Sequence, residues 1–222
     1  MKTLNRSLIL ISVLAAWAES TYGQQPPDVV ISDKYFNTAM GTDALLSVTP
    51  GTDPGESNNY YGAYNTASGY DALYSNTTGA VNTAFGYDAL YSNVAAVNNT
   101  AVGAQALSHT GYSGVAHATE GGQNTAVGDA ALFYNTAGSA STAVGYQALY
   151  WNQNSGSTAV GYQALYLNTG GYANTAAGYQ ALFYATGSNN TAVGYQALLT
   201  FDDGESSTGS NSRGCCPGCR NP

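Results

Sequence analysis

Small apolar and polar positions alternate in short bursts along this chain, and the bursts recur. Each reads Thr, Ala, a variable residue, Gly, and the apolar pair Ala-Leu follows three residues after the Gly. The blocks begin at Thr38, Thr66, Thr83, Thr100, Thr125, Thr142, Thr158, Thr175 and Thr191. Their glycines are Gly41, Gly69, Gly86, Gly103, Gly128, Gly145, Gly161, Gly178 and Gly194. Their leucines are Leu45, Leu73, Leu90, Leu107, Leu132, Leu149, Leu165, Leu182 and Leu198. Six of the eight steps between blocks are 16 or 17 residues. The other two exceed one period by 11 and 8 residues, around 50–59 and 112–122, in Gly-, Ser-, Pro- or acid-rich sequence of loop composition.

A period near 17 is too short for a helical repeat, which needs 33 or more residues. It suits one coil of a stack: two short strands of about six residues, each roughly 20 Å long, and two turns. Turn chemistry follows each burst, as in Asn76-Thr77-Thr78-Gly79 and Asn168-Thr169-Gly170-Gly171. The segment Tyr-Gln-Ala-Leu-Tyr has helical residues, but the Gly before it and the Asn or Gly after it leave less than two turns, too short to hold alone. The pattern therefore predicts an all-β chain, a parallel β-roll or β-solenoid of about nine coils. At about 4.8 Å per coil the stack is on the order of 40 Å long.

Alternation within Thr-Ala-Val-Gly puts Thr and Val on one strand face and Ala and Gly on the other. Val102, Val127, Val144, Val160 and Val193 then form one apolar row. The Gly serves a close backbone approach, a bend at positive φ, or both. The Leu fills the core. Tyr follows the Gly at Tyr70, Tyr87, Tyr146, Tyr162, Tyr179 and Tyr195, and an aromatic follows the Leu at Tyr74, Tyr91, Phe133, Tyr150, Tyr166 and Phe183. Such regularity reads as stacking ladders, of which the first, with wet hydroxyls, is a candidate binding surface. Recognition is expected where the repeat is interrupted, at 50–59 and 112–122, or on Tyr and Asn positions that face outward.

Charge narrows the function. Charged residues make up 8% of the chain, against a typical quarter, and the net charge is −8. No Lys or Arg occurs between Tyr35 and Ser212. Nucleic-acid binding, phosphate chemistry and adhesion to anionic membranes all lack their basic side chains. His109 and His117 do not recur and have no acid–base partner at a suggestive spacing, so no catalytic residues are assigned and no cofactor or metal is expected. Asp43, Asp71 and Asp88 stand where later copies carry Gln; they read as solvated acids, too sparse for a calcium repeat.

The ends differ from the repeats. Residues 1–23 read as a secretory signal, with Lys2 and Arg6 before an apolar run from Leu8 to Ala18 that is too short to span a bilayer; an N-terminal anchor helix is the alternative. Residues 24–36 read as a linker, 37–200 as the repeat domain, and 201–222 as a disordered tail. Cys215, Cys216 and Cys219 in that tail suit intermolecular disulfides, a zinc site short of one ligand, or no role at all.

The phrase Asn-Thr-Ala-Val-Gly-Tyr-Gln-Ala-Leu at 190–198 resembles the head repeat of trimeric autotransporter adhesins, the YadA-like heads. The likeness runs over about residues 36–200, with a period slightly longer than the usual head coil. It implies a left-handed parallel β-roll, a homotrimer, and exposure on a bacterial surface as a non-enzymatic adhesin that attaches to an extracellular protein or glycan. Two other functions fit the repeat: a structural shaft of a phage-like fibre, and an ice-binding solenoid.

Overall fold

The computed structural model describes residues 31–48, 62–111, 121–201 and 208–210. Every Thr-Ala-x block is a three-residue strand: β2 (Thr38–Met40), β3 (Thr66–Ser68), β4 (Thr83–Phe85), β5 (Thr100–Val102), β6 (Thr125–Val127), β7 (Thr142–Val144), β9 (Thr158–Val160), β11 (Thr175–Ala177) and β13 (Thr191–Val193). They pair in parallel with Thr against Thr and Ala against Ala, one rung per coil. β1 (Ile31–Ser32) closes one edge antiparallel to β2, and β15 (Thr208–Ser210) extends the other edge in parallel. A second sheet stacks β8 (Trp151–Asn152), β10 (Leu167–Asn168), β12 (Tyr184–Ala185) and β14 (Thr200–Phe201). The described residues hold no helix, and their parallel strands stack as a β-solenoid. The parallel solenoid expected from the period is what the chain forms.

The strands are shorter than the expected six residues, and the reason is conformational. After each strand the Gly lies at φ between 123° and 141°, and both the residue before Ala-Leu and the Leu itself are left-handed, as at Gln147 (φ 52°) and Leu149 (φ 52°). These reversals fold Gly-Tyr-Gln-Ala-Leu into successive tight turns, with Ala148 N–H donating to Gly145 O at 3.3 Å and Asn93 N–H to Leu90 O at 3.1 Å. Inter-coil bonding nevertheless continues around the bend: Gln147 N–H donates to Asp129 O at 2.9 Å, and Leu149 N–H to Ala164 O at 3.0 Å. Left-handed backbone costs an ordinary residue about 1–2 kcal/mol. With two such residues per coil, full burial of the Leu side chain, worth roughly 1.5–3 kcal/mol, offsets a large part of that.

The core is narrow. From β3 to β13 the strand Ala and the Ala-Leu pair are buried and pack as one cluster, with Ala39 and Ala44 of the first coil partly buried against it. The coil is completed by polar ladders. Asn65, Asn82, Asn99 and Asn124 are buried, and each amide oxygen accepts the backbone N–H of the equivalent residue one coil on, at 2.9–3.0 Å. Ser141 and Ser157 continue this column, accepting through Oγ at 3.3 Å. A second column joins side chain to side chain, with Asn93 Nδ2 donating to Asn76 Oδ1 (2.7 Å), Asn152 to Asn135 (2.9 Å) and Asn168 to Asn152 (2.8 Å). The expectation of outward-facing Asn positions is thus corrected for these columns. A polar cross-section this thin leaves backbone groups inside, and the amides satisfy them.

Candidate functional site

With core and ladders accounted for, two columns remain on the outside. The first is the outer face of the repeat sheet. Ala points inward, so Thr and the variable residue point out. Val102, Val127, Val144, Val160 and Val193 are 36–50% exposed, and Phe85 is 57% exposed. The predicted Val row exists, but as a surface row beside a column of Thr. From β2 to β13 this face carries no charged residue.

The second column is built by the turn. Left-handed backbone at Gln147, Gln163, Gln180 and Gln196 turns the preceding Tyr outward and the amides along the stack. Each Nε2 donates to the previous Oε1, at 2.8, 2.9 and 3.0 Å. Beside them Tyr146, Tyr162, Tyr179 and Tyr195 stack with ring centroids 5.3, 5.0 and 5.2 Å apart and planes within 13° of parallel. The Gln ladder is a feature that reading the Tyr alone passes over; its signal was the identical Gln two residues after Gly145, Gly161, Gly178 and Gly194. Tyr70 and Tyr87 repeat the arrangement at 5.7 Å. Ring faces are therefore largely occupied by other rings, and the column presents edges and hydroxyls rather than flat platforms.

No family model, characterised protein or solved structure matches this chain. Chemistry must be judged from its own groups. In the first three coils the Gln column is replaced by Asp43, Asp71 and Asp88. Burial, then the charges of Asp88 and Asp43, raise the carboxyl of Asp71 above its ordinary value, and its Oδ1 has no hydrogen-bond partner among the described residues. Asp71 is thus half-buried and not the freely solvated acid expected. The neighbouring carboxylates also raise the phenols of Tyr70, chiefly through Asp71, and Tyr87, chiefly through Asp88. His109 packs against Phe133 (4.6 Å) and Tyr134 (4.8 Å), and desolvation lowers its pKa. No group of three metal-ligating side chains occurs among the described residues.

The repeat Gly residues lie inside the stack. A Cβ on Gly86, Gly103 or Gly128 would come within 2.5 Å of the carbonyl oxygen of the Gly one coil on. Both expected roles of this Gly, close approach and positive φ, hold together. The nine Leu line the core with exposures of at most 6%. Gly and Leu are scaffold, while the six Tyr after Gly are 41–62% exposed. His117, the three Cys, the signal, the 50–59 insertion and most of the 112–122 insertion lie outside the described residues. No helix among the described residues is long and apolar enough to cross a membrane.

Proposed function

We propose that this chain is the head of a non-enzymatic adhesin, exported and assembled as a homotrimer, which attaches to matrix, host or other cells. One observation carries the reading: an uncharged sheet face bears exposed Val102, Val127, Val144 and Val160 on successive rungs, and Val193 beyond Ala177, on a chain whose buried apolar cluster is only Ala and Leu. Contiguous exposed apolar surface of this kind marks an interaction site. Packing three such faces together buries the Val row and leaves the Tyr and Gln columns outward for attachment. The resemblance of the repeat to YadA-like heads supports the same arrangement.

Two measurements test it. Native mass spectrometry should give three copies, and the purified trimer should retain at least one of immobilised collagen, fibronectin or a glycan array. A trimer that retains none is instead a fibre shaft. A second reading rests on the same face: Thr and Val columns in strict register form a flat uncharged lattice suited to ordering water. A monomer that shows thermal hysteresis would make the chain an ice-binding solenoid and exclude the adhesin trimer.

A further inference from the structure

The outer tyrosine column has a chemical property that neither packing nor attachment uses. Tyr146, Tyr162, Tyr179 and Tyr195 are 41–62% exposed, yet each phenol stands directly over the next, with centroids 5.0–5.3 Å apart. Isolated surface tyrosines meet only by diffusion. Here the partner is held in register by inter-coil backbone bonds on both sides of it: Gly161 N–H to Val144 O (2.8 Å) and Gln163 N–H to Tyr146 O (2.9 Å). Exposure lets an oxidant reach the phenol and leaves the ring free to tilt toward its neighbour. Stacked rings at this separation also let an oxidised state pass from rung to rung.

We propose that this column is a site of oxidative tyrosine coupling, at which a peroxidase-class oxidant joins phenols of successive coils into dityrosine. Hydrogen peroxide supplies the oxidising equivalents. Each of two phenols gives up one electron and its hydroxyl proton, and the peroxide is reduced to two waters. The two phenoxyl radicals join by a carbon–carbon bond between ring positions ortho to the oxygens. The hydrogen on each joined carbon then passes, through solvent, to the phenolic oxygen and restores both aromatic rings. The product has lost two hydrogen atoms and staples adjacent coils. A solenoid is held coil by coil through nearest-neighbour contacts, so such a staple opposes peeling from an end.

An inner column supplies the comparison within the same molecule. Tyr150 and Tyr166 also stack, at 5.1 Å, but they are half-buried and the column is closed at both ends by Phe133 and Phe183. They share the register and lack the access.

The test treats the full native chain with peroxide and a peroxidase, then maps cross-linked peptides by mass spectrometry. Peptides joining Tyr146, Tyr162, Tyr179 and Tyr195 to their neighbours within one chain are expected, each short of two hydrogen atoms. The double variant Tyr162→Phe/Tyr195→Phe keeps the ring stack, as Phe133 and Phe183 do in the inner column. It leaves Tyr146 and Tyr179 two rungs apart, roughly 10 Å, and should lose these linked peptides entirely. Tyr70–Tyr87 remains in that variant, so bulk dityrosine fluorescence is not the readout. Absence of linked peptides in the wild type, links only between chains, retention of the links in the double variant, or preferential coupling of Tyr150 to Tyr166 would each overturn the assignment.

Discussion

Gly161 carries two constraints at once, and they can be separated by mutation. Its φ of 135° is a region that side chains avoid, and a Cβ there would press on the carbonyl oxygen of Gly178. Strain and overpacking are each worth about 1–3 kcal/mol. Gly161→Ala should therefore lower stability by about 3 kcal/mol or more, read as a drop in the urea midpoint. Gly156 has a positive φ of 77° but its nearest other atoms lie 3.9 Å away. Gly156→Ala should cost only about 1 kcal/mol, the conformational part alone. Equal losses at the two sites would refute the account of the Gly column as a coil-to-coil contact. Asp71 is the other residue with an unusual position. Its carboxyl is raised above 3.8, so the folded state holds this proton more tightly than the unfolded state does. The contribution of this group to stability is then full in acid below 3.8 and is lost as pH rises through the higher folded value. Denaturation followed across that window should show this decline, and Asp71→Asn should flatten it.

At the scale of the element, the inner Asn column shows where the stack is weakest. Asn76 and Asn93 are bonded, as are Asn135, Asn152 and Asn168, but Thr110 stands between the two groups. Thr cannot reach across a rung, and the consequence is visible on both sides. Asn93 Oδ1 and Thr110 Oγ1 are buried without hydrogen-bond partners among the described residues. Leaving a buried polar atom unpaired costs about 1–3 kcal/mol. Thr110→Asn should place an amide donor toward Asn93 Oδ1 and raise stability by about 1–2 kcal/mol. The converse change, Asn152→Ala, should cost about 2–4 kcal/mol, because it strands the bonds to Asn135 Oδ1 and from Asn168 Nδ2 together. Thermal unfolding of the two variants checks both signs. If Thr110→Asn destabilises, the column is decorative and packing alone sets the rung.

For the whole molecule, the decisive quantity is what covers the Thr and Val face. Val144 and Val160 lie on adjacent rungs, 37% and 44% exposed. Neither side chain enters the coil, so Val160→Glu should leave the coil intact while placing a charge on the outer face. If that face joins three copies, the variant should sediment as a folded monomer, since burying an unpaired charge costs several kcal/mol. A folded trimer in the variant would move the interface elsewhere. The outer tyrosines are on the other side of the turn, so their reactivity should survive the change.

Much of this architecture was legible in the chain. The recurrence of Thr-Ala-x-Gly at 16–17 residues determined a parallel stack, because only a coil that returns to the same place can repeat at that spacing. Alternation placed Thr and Val on one face and Ala on the other, and the scarcity of basic residues argued against phosphate chemistries. The tertiary structure decided three things that composition leaves open. Asn65 and Asn152 are polar, and polarity alone suggested the surface. They are buried because a coil this thin exposes backbone groups to its own interior, and the amides satisfy them. Leu149 and Gln147 are ordinary strand or helix residues by propensity, yet both are left-handed, because neighbouring coils bond the turn from either side and hold it there. The Val row was predicted as a row, but whether it faces the core depends on which side the Leu closes. That is a property of the whole coil, and no three-residue strand contains it.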